Sequence, residues 1–280
     1  MLSVTSGVPR YLEEVDPAAT AEENIRRLCF RPKGVLREDF DEMFLDVVTR
    51  QPTFTARVLR RLAEGSASAA EIADGFGMER GGRVSDALEQ LAESGLVSED
   101  ASNNPLTGRP AREKRYRLRD NYARFYLRYI EPSKTVIDAD AFAFAGFGGL
   151  EGWDATMGLA FENLVVNNYR ELLGPIGLGT AQVLSAAPYR RAGSGKAPGS
   201  GVQVDLLLQT RRSICLVEVK REREIGREVI AEMQEKVKRV PRQEGMSVKT
   251  ALVYEGHLAH IVETDGYFDA IVPFRRMLGI

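Results

Sequence analysis

Two strand-like segments, 202–208 and 214–220, set acidic residues inside otherwise apolar runs and are separated only by the polar turn 209–213. Runs of this length, rich in Val, Leu and Ile and joined so tightly, predict a β-hairpin in a buried sheet. Asp205, Glu218 and Lys220 then ride on core strands. A side-chain period of two sets Glu218 and Lys220 on one face and Val217 and Val219 on the other, and the hairpin can bring Asp205 alongside the first pair. Buried carboxylates are costly unless paired or metal-bound, and two of them with one ammonium suit a divalent ion plus an activated water. The plainer alternative is an ion pair between Glu218 and Lys220 at a strand end, with Asp205 merely opening a strand.

At 280 residues the chain is long enough for two or more domains, and its 44% hydrophobic content is ample for their cores. The net charge of −2 advertises no polyanionic partner, so any nucleic-acid contact must come from local patches. Cys29 and Cys215 are too few for a disulfide framework or a zinc site, which fits a reducing cytoplasm. With no apolar run of membrane length and no basic-plus-apolar leader, the expectation is a cytoplasmic protein without a membrane partner.

Between 54 and 118 the pattern predicts three helices followed by two strands. Phe54, Val58, Leu59 and Leu62 mark the first helix; Ser68 with Glu71 forms a capping box for the second; Val84, Leu88, Leu91 and Ala92 mark the third, closed by Gly95. Leu96-Val97 and 116–118 are the strands. The stretch 109–119 holds Arg109, Arg112, Lys114, Arg115, Arg117 and Arg119 against Glu113 alone, an excess suited to phosphate contacts, and Arg80 and Arg83 stand at the start of the third helix. Asp86, Glu89 and Glu93 farther along that helix oppose such contacts. A helix over 121–130, capped by Asp120, carries Tyr122, Phe125, Tyr126 and Tyr129 at packing spacing and is expected to stop at Pro132, before a connecting region. Residues 222–227 read as a solvated helix start and 249–254 as a further core strand parallel to the hairpin. His257 and His260 lack a companion acid at helical spacing and read as surface residues.

The placement of Asp205 and of Glu218-Val219-Lys220 resembles the catalytic motif of the PD-(D/E)xK phosphodiesterase superfamily, although Val204 stands where the motif has proline. The resemblance implies that Asp205 and Glu218 hold Mg²⁺ or Mn²⁺, helped by Glu162 on a preceding helix, that Lys220 positions or activates water, and that Gln234 on the following helix joins the catalytic set. Further motifs extend it. Residues 6–13, 23–25 and 34–38 are similar to the end of the helical lid of archaeal-type AAA+ ATPases, and 115–125 to that family's junction between a winged helix and a C-terminal nuclease-like domain known as DUF234.

This resemblance implies a winged helix-turn-helix domain followed by a restriction-endonuclease-like α/β domain with a mixed central sheet: a lid-like helical segment over 1–50, the winged helix over 51–119, a connecting helix and linker over 120–152, and the nuclease-like domain over 153–280. The ATPase core is missing. The nearest approach to a P-loop, Gly193-Ser194-Gly195-Lys196, is followed by Ala197 and preceded by Arg190 where the first glycine is needed, so no ATP is expected to bind. The expected partners are DNA, a separate ATPase chain and, by analogy with paired nucleases, a second copy. A fold does not fix an activity, so a non-catalytic nuclease-fold module and a winged-helix regulator remain alternatives.

Overall fold

The computed structural model describes residues 1–40, 52–111, 114–193 and 201–280; Arg112 and most of the glycine-rich loop before Asp205 lie outside them. The chain divides into two compact units, residues 1–99 with 113–160, and residues 100–112 with 161–280. Among the described residues no helix is long and apolar enough to cross a membrane.

The first unit begins with helices α1 (Leu2–Thr5), α2 (Pro9–Glu13), α3 (Ala21–Cys29) and α4 (35–40). Then come α5 (Pro52–Ala63), strand β1 (Ala67–Ser68), α6 (Ala69–Gly75), α7 (Gly82–Glu93), β2 (Val97–Asp100) and β3 (Arg115–Leu118). The strands form a sheet of order β1-β3-β2, with β1 antiparallel to β3. The capping box expected at α6 is present: Ser68 accepts from the Glu71 amide at 3.2 Å, and Glu71 accepts from the Ser68 amide at 2.9 Å. Helices this short cannot hold themselves together in water, and Val4, Ile25, Leu28 and Phe40 accordingly share one core with Leu59, Leu88 and Phe125. The segments read from the sequence as a lid, a three-helix domain and a connector are thus packed around a common interior.

Pro132 does not end the helix that starts at Asn121. After α8 (Asn121–Phe125) the chain makes a π-helical turn, Tyr126–Ile130, and continues as α9 (Glu131–Asp138). Proline brings no amide hydrogen, so the normal ladder fails one turn before it. The Glu131 amide bonds instead to the Tyr126 carbonyl, five residues back, and Pro132 sits harmlessly in the first turn of α9. Tyr122, Phe125, Tyr126 and Tyr129 are all buried, as their spacing predicts. Arg124 is buried with them; its guanidinium donates to the carbonyls of Ala63 at 2.7 Å and Leu118 at 2.9 Å, and more distantly to Leu62 at 3.4 Å.

The division between the units falls within α10 (Trp153–Asn167), followed by α11 (Tyr169–Leu173). The second unit is built on a five-stranded sheet of order β4 (Ser185–Arg191), β5 (Val202–Gln209), β6 (Ser213–Ile225), β7 (Ser247–Leu258) and β8 (Ala270–Pro273). β4, β5 and β6 run antiparallel, and β7 and β8 run parallel to β6. The expected hairpin and the expected parallel strand are both present. Helix α12 (Glu228–Arg239) makes the right connection between β6 and β7, since parallel neighbours need a crossover. Residues 222–225 prolong β6 rather than opening that helix, because they pair with β7 through Ile225 and Leu258.

Each sheet face has its own core. Leu206, Leu208, Val217, Val219 and Val253 pack with Phe161 and Val165 of α10, whereas Val204, Leu207, Leu216 and Leu252 pack with Val229, Ile230 and Met233 of α12. Strict alternation fails once, in β5. Ala187 pairs with Leu207 but Tyr189 pairs with Val204, so two steps along β4 match three along β5, and the extra residue falls at Asp205-Leu206. This β-bulge changes the phase of the strand, leaving Val204 and Leu207 on the α12 face and Leu206 on the other.

Candidate active site

The bulge delivers Asp205 to the α12 side of the sheet, the side toward which Glu218 and Lys220 alternate from β6. The ladder between β5 and β6 ends at Leu206 paired with Val217. One step farther, the Asp205 carboxylate replaces the main chain as acceptor, taking the Val219 amide at 2.9 Å through Oδ2. Asp205 and Glu218 therefore come together where the two strands part. Both are buried, at 9% and 3% exposure.

Burial of Asp205, with the negative charges of Glu218 and then Glu162 beside it, pushes its carboxyl up to about 8, against the opposing pull of Lys236 and the Val219 amide. The fold thus favours the protonated form of Asp205 far more than water does. Glu218 faces two lysines: Lys236 Nζ is in a short contact with its Oε2, and Lys220 Nζ lies 3.6 Å from its Oε1. Lys220 makes its own closer bond to Glu232, at 2.8 Å. Burial works against the charge on Lys220, but the Glu232 bond and the fields of Glu218, Glu232 and Glu222 outweigh it and raise its pKa. Lys220 is thus an ammonium at neutral pH, able to donate and to offer charge but not to accept a proton.

Asp205 opens into a depression of about 280 Å³ whose walls include Gly201 to Gln203 on one side and Glu232, Lys236 and Arg239 of α12 on the other. Glu218 is not among the lining residues; Lys236 stands in front of it. Oxygen donors of this kind suit Mg²⁺ or Mn²⁺, which keep part of their water shell and need only one or two carboxylates. Among the described residues no group of three His, Cys, Asp or Glu side chains forms a ready-made metal cage. The donor chemistry fits a hydrated ion rather than an enclosed one.

Of the residues expected at the site, Asp205, Glu218 and Lys220 converge, and Glu162 of α10 is near enough for its charge to act on Asp205. Gln234 is exposed and is not among the described residues lining the depression. At about 100° per residue, a helix with Val229, Ile230 and Met233 buried puts Gln234 on one flank of that stripe and Glu232 and Lys236 on the other. The same count would have found Lys236 in the sequence, once the apolar stripe of α12 was drawn.

The cations expected to meet nucleic acid are largely occupied. Arg115 bonds Glu71 at 2.8 Å and the Ser66 carbonyl at 3.0 Å, and Arg117 is buried. Arg80 pairs with Asp74 at 2.9 Å and Lys114 with Glu99 at 3.0 Å, both at the surface, while Arg83 lies over the Phe54 ring at 4.2 Å. Arg109 is exposed and belongs to the second unit. The outer face of α7 presents Asp86, Glu89 and Glu93. His257 and His260 are exposed, and contrary to the sequence reading His260 has an acid at helical spacing, Glu263, whose carboxylate lies 3.7 Å from its Nδ1.

No protein-family model matches this sequence, and no curated protein matches it. Among solved structures it is similar to protein VC1899 from Vibrio cholerae, with 13% identity over 87% of this chain and 52% of that one and a TM-score of 0.33. It is also similar to Can2 from Sulfobacillus thermosulfidooxidans in complex with cyclic tetra-adenylate, with 12% identity over 87% and 52% and a TM-score of 0.29. This chain spans about half the length of each. Likenesses at such scores weigh for no particular fold or activity.

Proposed function

We propose that the second unit is a PD-(D/E)xK-type phosphodiesterase domain acting on DNA, and that the chain corresponds to the C-terminal part of an archaeal-type AAA+ ATPase architecture. The supporting observation is the meeting of buried Asp205 and Glu218 at a strand divergence, with Lys220 beside them and a depression opening from Asp205. Two buried acids and a lysine with no catalytic or metal duty would be a costly way to finish a β-hairpin.

In this reading Asp205 and Glu218 hold a divalent ion, with Glu162 adding negative charge. The ion, when bound, polarises the phosphodiester and lowers the pKa of a water molecule. Asp205 must release its proton to become a ligand. Lys220, protonated throughout, leaves Glu232 to donate to a phosphoryl oxygen and to hold the attacking water in line. Arg239, on the wall of the depression, adds a cation for a neighbouring phosphate.

The first unit is proposed to be a winged helix, from its order of three helices and two strands with β1 joining the sheet. The acidic outer face of α7 favours a protein over DNA as its partner, such as a separate ATPase chain.

A second reading, a nuclease fold used only for binding, is favoured by the engagement of both lysines with acids. Cleavage of labelled single-stranded, duplex and branched DNA with Mg²⁺ or Mn²⁺, beside Asp205→Ala and Glu218→Ala, separates the two. Loss of metal-dependent cleavage in both variants supports the phosphodiesterase. Metal binding without cleavage of any substrate supports the binding module, and cleavage that survives both substitutions removes the site altogether.

A further inference from the structure

Lys236 occupies a position that the motif does not account for. It reaches from α12 to the Glu218 carboxylate, and it lines the depression behind which Glu218 is concealed. Its side chain is 21% exposed and that of Glu218 only 4%, so the ammonium is the solvent-side member of the pair. Lys220 cannot substitute for it, being 3.6 Å from Glu218 and held by Glu232 at 2.8 Å. Asp205 and Glu218 thus differ in setting: Asp205 lines the depression, whereas Glu218 does not and is met by Lys236, which does.

We propose that Lys236 is a built-in counter-cation that competes with divalent metal for Glu218, so that metal entry requires the ammonium to swing off the carboxylate into the depression. This rests on the reading of Asp205 and Glu218 as metal ligands and adds a regulator to that site. The exchange is electrostatically reasonable. An ammonium brings one positive charge to a buried carboxylate as a single point contact, whereas a divalent ion would bring two, for which Asp205 and Glu218 together would be the holding residues. The flexible stem of lysine lets the displaced charge remain at the mouth, beside Arg239, where a substrate phosphate would meet it. Lys236 is accordingly a positioning residue, not a metal ligand and not one of the motif's own groups.

The test is calorimetric titration of Mn²⁺ into the full chain, comparing wild type with Lys236→Met, Lys236→Arg and Asp205→Ala. Removing the competitor should tighten Mn²⁺ binding about tenfold or more in Lys236→Met, while Lys236→Arg, which keeps the charge, stays near wild type. Lys236→Met should also melt lower than wild type without metal and gain more from Mn²⁺, because Glu218 keeps only its more distant partner Lys220, at 3.6 Å, until the ion arrives. Mn²⁺ affinity in Lys236→Met equal to or weaker than wild type, or detectable in neither, would overturn the proposal. If Asp205→Ala binds like wild type, the underlying metal site is wrong and the proposal goes with it. If Asp205→Ala loses binding and Lys236→Met changes nothing, only the competition fails. Should Lys236→Met not fold, NMR of the wild-type protein with ¹³C-dimethylated lysines decides the matter. The Lys236 signal, assigned by its absence from Lys236→Arg, should move when Mg²⁺ is added, and a signal unmoved at saturating Mg²⁺ would sink the idea.

Discussion

Oδ2 of Asp205 accepts the Val219 amide at 2.9 Å, one residue beyond the last main-chain pair of its hairpin. A side chain here does the work of a strand's own carbonyl. The carboxylate is thereby fixed at the point where β5 and β6 separate, with its second oxygen left to face the acids and lysines around it. A structural role and the proposed chemical one fall on the same group, and their consequences are separable by experiment.

Stability of the metal-free protein should fall as pH rises between about 4 and about 8 on account of Asp205. Its carboxyl is raised in the fold from 3.8 to about 8, so across that window the folded state binds more protons than the unfolded one, and unfolding becomes easier with increasing pH. The contribution is fully present below the lower value and lost above the upper, and amounts to a few kcal/mol. Urea unfolding of wild type and Asp205→Asn over this range measures it, since asparagine can still accept the Val219 amide. Parallel pH profiles for the two proteins would contradict the assignment.

Gly256→Ala should cost about 2–4 kcal/mol in chemical denaturation, among the large effects for one methyl group. A Cβ at this position would stand 1.8 Å from the Glu222 carbonyl oxygen of β6, and the backbone there has φ +128°. The neighbour is main chain in the irregular stretch of β6 between the Arg221–Glu255 and Glu224–His257 pairs, which pin it to β7 on both sides. A change below about 0.5 kcal/mol, the range of ordinary surface substitutions, would show that the two strands are farther apart here.

Arg124→Met should lower the stability of the first unit by about 3 kcal/mol or more, since it leaves the carbonyls of Ala63 and Leu118 without a charged donor inside the core. Arg124→Lys should recover only part of the loss, because one ammonium cannot reproduce the guanidinium fork. Equal stability of the Met and Lys variants in urea would show that packing, not donation, is what matters at this position.

Duplex DNA affinity, if present, should be nearly indifferent to the cations around α7. Arg80→Ala and Lys114→Ala are each expected to change it by less than about twofold at physiological salt, since both already face carboxylates and the helix between them is acidic. A drop of about tenfold with a shallower salt dependence, in electrophoretic mobility or anisotropy, would restore this face as a DNA contact.

Much of the second unit is legible in the sequence because its signals are short-range. Apolar runs around Asp205 and Glu218 announce buried strands, and the turn between them fixes their pairing. The Ser68-Glu71 box and the aromatic spacing of α8 are equally local. What escapes is set by geometry that residue types do not spell out. Pro132 looks like a stop, yet a five-residue hydrogen bond from Glu131 carries the helix past it. Gln234 looks like a motif member, yet the apolar stripe of α12 turns Lys236 inward instead. Lys114 and Arg115 read as phosphate contacts by their charge alone, and the acids that meet them, Glu99 and Glu71, come from elsewhere in the sequence.

The bulge in β5 has a consequence for how such a chain can vary. Removing one residue between Val204 and Leu207 would restore the regular pairing with β4 and leave the composition of the strand almost untouched, yet it would rephase every side chain on one side of the cut. The acid could survive in an alignment and be lost from the site. Relatives of different strand length therefore need to be judged by their count of residues between the apolar anchors, because a conserved aspartate alone does not conserve its direction.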